Sequence, residues 1–274
     1  MSAPTLETRG LSRSFGALQA VGDVNLRVEP GELRAVIGPN GAGKTTFFHL
    51  VSGVLRPTAG DVLFRGETVS SLPAHARCRR GMSRTFQMTS LFPELSVLEN
   101  VRIAIQAKGG GNNRVLGGRA LLARTEAAAR EALGFVNLED RAAAPASTLP
   151  HGDQRLLEIA MALAQEPELL LLDEPTQGLA SEETAATAAL VRRISRERRV
   201  TILLVEHDMD VVFNVADRIS VLHFGRLIAE ASPAGYTELA SGKVHKKTCW
   251  TPPVLCRGFV FCRNEVGELV CVDL

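Results

Sequence analysis

Ahead of the glycine-rich segment at residue 38, the stretch 33–37 is almost wholly apolar, as expected of a short strand. Two similar runs follow: four leucines at 169–172, ending in Asp173-Glu174, and residues 200–205. Residues 6–12 and 24–28 predict two further strands around a turn at Phe15-Gly16, and 60–65 predicts an edge strand after a turn at Pro57-Thr58. Helical spacing appears at 45–52, where Phe47, Phe48, Leu50 and Val51 are apolar. It returns through most of 97–138, broken at Gly109-Gly110-Gly111-Asn112-Asn113, and again over 153–164, 182–199 and 209–216. Residues 219–223 and 226–229 predict a hairpin about Phe224-Gly225. Strands alternating with helices imply an α/β fold with a mainly parallel sheet and an antiparallel portion near the N-terminus. There is no internal repeat.

The 274 residues, 45% hydrophobic and 22% charged, suit one α/β domain or a domain with a small appendage. That apolar share excludes a disordered chain. A net charge of +1 argues against a nucleic-acid partner, which calls for a basic excess. No apolar run nears the roughly 18 residues of a membrane helix, and the first seven residues lack a basic-then-apolar leader. The expectation is a cytoplasmic chain, unless a partner brings it to a membrane.

The strongest chemical signal is Gly38-Pro39-Asn40-Gly41-Ala42-Gly43-Lys44-Thr45, which fits G-x-x-x-x-G-K-[ST] between a strand and a helix. Glycines let backbone N–H groups curl around phosphate oxygens, and the helix start adds partial positive charge. Lys44 would reach the β- and γ-phosphates and the Thr45 hydroxyl would ligate Mg²⁺, with Thr46 completing the binding set. At the end of the leucine strand, Asp173 would hold Mg²⁺ and Glu174 would act as general base on the attacking water. An Asp-Glu pair alone would be a strand end meeting solvent; beside a phosphate loop it reads as catalytic.

With these motifs the chain resembles the ATP-binding subunits of ABC transporters over about residues 5–232. Leu149-Pro150-His151-Gly152-Asp153-Gln154-Arg155 looks like the family's signature loop, and its Gln154 stands 19 residues before Asp173. The resemblance implies a P-loop ABC ATPase fold, a mainly parallel sheet with an antiparallel β subdomain and a helical subdomain at about 88–165. It implies that His151, Gly152, Asp153 and Gln154 contact ATP held by a second subunit, a copy or a paralogue. It makes His207, 34 residues after Asp173, the switch histidine near the γ-phosphate. Gln87 becomes the glutamine that senses Mg²⁺ and the attacking water, and the segment after it the part that meets a membrane permease. Phe15 falls where an aromatic stacks on adenine; an ordinary core aromatic is the other reading. The stretches 151–160 and 205–212 resemble importers of branched-chain amino acids and of urea or short amides. That implies membrane permease subunits as partners, an indirect periplasmic solute-binding protein, and a place on the cytoplasmic face of the inner membrane. A soluble ABC ATPase of translation or DNA repair would carry two nucleotide domains or a coiled-coil insertion, and neither is seen.

Three departures stand out. Pro150 replaces the usual serine, which offers a hydroxyl to the γ-phosphate; proline offers neither hydroxyl nor N–H. The chain would then bind ATP while hydrolysing it slowly, an alternative function. The stretch 178–181 lacks an aspartate common in the family. The tail, 236–274, differs most: it holds Cys249, Cys256, Cys262 and Cys271 and the single Trp250, in spacings unlike zinc half-sites. Residues 259–263 and 268–273 predict two strands there. The tail resembles a fragment of a quinoprotein-like β-propeller blade, too short to close a propeller. A fusion or frame disruption, a docked hairpin and a disordered extension are the readings, with the first favoured as its origin.

Overall fold

The computed structural model describes residues 3–85, 91–108, 118–232, 235–238, 254–256, 259–263 and 269–273. The chain runs β1 (Leu6–Phe15), β2 (Leu18–Val28), β3 (Leu33–Ile37), α1 (Lys44–Ser52), β4 (Ala59–Phe64), β5 (Glu67–Thr68), α2 (Ala74–Arg79) and β6 (Met82–Arg84). It continues with α3 (Val97–Lys108), α4 (Gly118–Phe135), α5 (His151–Leu163), β7 (Leu169–Asp173), α6 (Ser181–Arg198), β8 (Thr201–Val205) and α7 (Met209–Val215). After β9 (Arg218–His223) and β10 (Arg226–Ser232) come β11 (Gly235–Glu238), β12 (Val254–Cys256), β13 (Phe259–Arg263) and β14 (Leu269–Asp273).

Among the described residues there are three sheets. The central one has the order β11-β10-β9-β3-β8-β7-β6, with β9, β3, β8, β7 and β6 parallel and the β9–β10–β11 ribbon antiparallel. A second, antiparallel sheet has the order β2-β1-β4-β5. The strand expected at an edge, β4, is interior because the two-residue β5 pairs with it. In the tail, β12, β13 and β14 form an antiparallel sheet.

Strands buried on both faces divide the core. From β7 and β8, Leu170, Leu172, Ile202 and Leu204 pack with the helices α3 to α7. Their alternate neighbours Leu169, Leu171, Leu203 and Val205 pack with Phe47 and Phe48 of α1 and with the antiparallel sheet. This period of two is what a double-faced strand requires. Arg34, within the otherwise apolar β3, is fully buried, and its charge is met by Glu32 and Glu230, each at 2.6 Å. No helix among the described residues is long and apolar enough to cross a membrane.

The end of α1 is also closed by a buried charge. Arg77, from α2, donates to Leu50 O (2.8 Å), Val51 O (2.6 Å), Leu72 O (3.0 Å) and Ser70 O (3.1 Å). A cation at the carbonyl end of a helix satisfies orphan acceptors and the helix dipole together. Burial lowers the Arg77 pKa to about 10. Arg77→Met should therefore lower stability by about 3 kcal/mol in urea denaturation, since several buried carbonyls lose their donor; a loss under about 1 kcal/mol would contradict this role.

Candidate nucleotide site

Strand parity decides where the acidic end of β7 points. Leu169 and Leu171 face α1, so alternation turns Asp173 to that side too. The parallel register pairs Val36 of β3 and Asp173 of β7 with the same residue, Val205 of β8. The carboxyl ends of three adjacent strands thus release the phosphate loop, Glu206-His207 and Glu174 along one edge of the sheet. Ligand sites of open α/β sheets lie at such edges.

The phosphate loop is shaped by close backbone approach. A Cβ on Gly38 would lie 2.1 Å from Leu222 O, and one on Gly43 would lie 2.3 Å from Ala20 O. Both positions demand glycine. Gly43 precedes α1 and no side chain among the described residues caps that helix, so its first N–H groups form a donor set suited to a phosphate anion. Lys44 Nζ donates to Gly38 O (2.6 Å) and Pro39 O (3.0 Å). Burial pulls the Lys44 pKa below the ordinary lysine range, with Glu174 and Asp173 opposing the shift.

Asp173 is 2% exposed, and its Oδ2 accepts from Arg84 at 3.0 Å. Oδ1 is buried without a hydrogen-bond partner among the described residues, a carboxylate oxygen of the kind a hard cation takes. Arg84 also donates to Ser52 Oγ (3.0 Å) and lies over the Phe48 ring, 5.0 Å from its centroid. Burial pushes the Asp173 carboxyl above its ordinary range and the Arg84 guanidinium below its own; their mutual attraction only partly offsets this. Desolvation outweighs the pairing.

Glu174 has φ +49°, a left-handed backbone that is strained for a residue with a side chain. Its N–H donates to Val205 O (2.9 Å), and its Oε1 lies 2.5 Å from His207 Nε2. With Glu174 ionised, the imidazole is the donor in that contact. Glu174 is buried, whereas the His207 side chain is 44% exposed. Behind this pair, the buried Glu206 accepts from Thr176 N–H (3.0 Å), Thr176 O–H (2.6 Å) and His207 N–H (3.0 Å).

The structure thus brings Lys44, Asp173, Glu174 and His207 to one sheet edge. Pro39 and Thr46 are half-buried, Ala42 is buried, and Asn40, Gly41 and Thr45 are exposed. Phe15 is 45% exposed at the tip of the β1–β2 hairpin, with Arg13 over its ring at 4.7 Å, so it is not a core aromatic. Gln87 lies outside the described residues; β6, which leads toward it, runs beside β7. The signature-like residues open α5: Gln154 N–H donates to Pro150 O (3.0 Å) and its Nε2 to Leu149 O (3.0 Å), while Asp153 is 4.0 Å from Arg141. His151 abuts the turn after Glu174, where a Cβ on Gly178 would sit 3.6 Å from its Cε1. The sequence pattern assigns no role to Arg84 or Glu206. For Glu206 the available signal is a charge directly after an apolar strand, which needs a buried partner; Arg84 ends the short, mixed β6 and carries no such signal.

A glycine-rich loop between a central parallel strand and a helix, flanked by a strand-end carboxylate pair, defines a P-loop nucleotide-binding protein. The ABC transporter family profile matches residues 21–177. A high-affinity branched-chain amino acid transport ATP-binding protein of Pseudomonas aeruginosa is 40% identical over 240 residues, covering 85% of this chain and 93% of that protein. Its Escherichia coli counterpart is 42% identical over 238 residues, with the same coverage. The crystal structure of the ADP conformation of an ATP-binding cassette of an ABC transporter superposes with a TM-score of 0.73 at 27% identity, over 85% of this chain and 91% of that one. The chain belongs to the ABC transporter family and is an ATP-binding subunit of it, an ATPase.

The Arg84–Asp173 pair yields a direct test. Arg84→Met should destabilise the chain by about 3 kcal/mol, because it leaves a buried carboxylate uncompensated. Adding Asp173→Asn should recover part of that loss in denaturant melts, and strictly additive losses would show that the two do not interact.

Proposed function

We propose that this chain is the ATP-hydrolysing subunit of an importer for branched-chain amino acids. The hydrolytic part is carried by one observation, the 2.5 Å contact of Glu174 with His207 on strand ends next to the phosphate loop. The solute rests on the named roles of the relatives. Residues 38–46 bind the triphosphate. Lys44 exchanges the carbonyls of Gly38 and Pro39 for phosphate oxygens, which are stronger, charge-assisted acceptors. Thr45 and Asp173, with Gln87, would hold Mg²⁺, which when bound neutralises charge between the β- and γ-phosphates. Glu174 takes the proton of the water whose oxygen bonds to the γ-phosphorus as the bond to the bridging oxygen breaks. His207 occupies Glu174 Oε1 and so orients the carboxylate, leaving Oε2 for the water.

Phe15 offers its exposed ring to adenine. His151, Gly152, Asp153 and Gln154, at the start of α5, cover ATP bound to a second ATP-binding subunit, since another helix N-terminus suits the far side of the γ-phosphate. The chain works at the cytoplasmic face of the inner membrane, held there by permease subunits that a periplasmic solute-binding protein loads. Residues 1–235 form the ATP-binding domain. Residues 236–274 are an appendage of separate origin resembling part of a propeller blade, a reading that rests on their composition alone, while residues 236–238 extend the central sheet within β11.

Steady-state ATP turnover of the full chain tests this reading. Glu174→Gln should lower turnover by about 10²-fold or more while ATP still binds; turnover equal to wild type would overturn it. In the same assay Pro150→Ser should raise turnover, by no more than one charge-assisted hydrogen bond of about 1.5–3 kcal/mol allows. An unchanged rate would remove Pro150 from the account.

A further inference from the structure

Glu206 has no part in the scheme above, yet it is 3% exposed and both of its oxygens are engaged. Its donors belong to the two loops that carry the reacting pair. Oε1 accepts both the N–H and the O–H of Thr176, two residues beyond Glu174. Oε2 accepts the N–H of His207. The turn holding Thr176 is itself closed by Gln177 N–H on Glu174 O at 3.1 Å. Desolvating a carboxylate is unfavourable unless donors replace its water, and here three do. A neutral side chain would fill the same space with less desolvation, but it could not accept on both sides.

We propose that Glu206 is a positioning residue for ATP hydrolysis: it clamps the loop after β7 to the loop after β8 and so fixes the Glu174–His207 contact. The proposal rests on the reading of Glu174 and His207 as the hydrolytic pair. Its chemistry is specific. Glutamine has the same shape but one acceptor oxygen, so its NH₂ must face either Thr176 N–H or His207 N–H, donor against donor. Aspartate keeps the charge but is one methylene too short to span both loops. Thr176→Val removes only the O–H and leaves the backbone bond in place.

The test compares the full chain with Glu206→Gln, Thr176→Val, His207→Ala and the Glu206→Gln/His207→Ala double variant. Turnover at saturating Mg-ATP, KM for ATP and amide hydrogen exchange are measured for each. Glu206→Gln should lower kcat at least tenfold with KM within twofold, and Thr176→Val should lower it less. The double variant should be no slower than His207→Ala alone, because the clamp acts through the histidine. Thr176 and His207 amides should exchange at least tenfold faster in Glu206→Gln. Turnover within twofold of wild type, losses that multiply in the double variant, or unchanged amide exchange would each overturn the proposal. Should wild type itself show no turnover, the hydrolytic reading of the pair fails, and amide exchange alone still decides whether the clamp exists.

Discussion

The parallel pairing of β8 with both β3 and β7 is the constraint on which the site depends. Val205 pairs with Val36 on one side and Asp173 on the other. A slip of the β7–β8 pairing by one residue would turn Asp173 away from α1 and separate Glu174 from His207, because side chains alternate along a strand. The register is secured by burial on both faces: every residue of β3, β7 and β8 is buried. The hydrophobic core therefore sets the geometry of the polar edge.

That edge holds its charges in an internal exchange of partners. Lys44 is bonded to the loop's own carbonyls, Asp173 to Arg84, Glu174 to His207 and Glu206 to two loops at once. Burial opposes the charged forms of Lys44, Asp173 and Arg84. A triphosphate would bring Lys44 anionic acceptors and a metal would bring Asp173 a further cation, so binding and compensation for desolvation act in the same direction. The left-handed backbone at Glu174 belongs to this design, since local strain is tolerated where neighbours over-determine a position.

Much of this was legible because the signals are local. The apolar pattern places the strand 33–37 to the residue, and the glycine loop, the leucine strand, the later helices and the β9–β10 hairpin to within a few residues. Elements made by their partners were not. β6 is three residues long and exists through pairing with β7, while α2 lacks an apolar stripe and is fastened by Arg77. β5 is a two-residue pairing that only the register with β4 reveals. Strand order has no sequence signal, and so nothing in the sequence shows the links from Arg84 to Asp173 and from Glu206 to Thr176, although those residues stand beside the phosphate-site motifs.

The most direct measurement is a crystal structure of the full chain carrying Glu174→Gln, grown with Mg²⁺ and ATP. The triphosphate should lie on residues 38–46, its γ-phosphate facing residue 174 and His207, and the metal should be contacted by Thr45 and Asp173. Nucleotide bound elsewhere, or a triphosphate on the loop with its γ-phosphate turned away from residue 174 and His207, would contradict it.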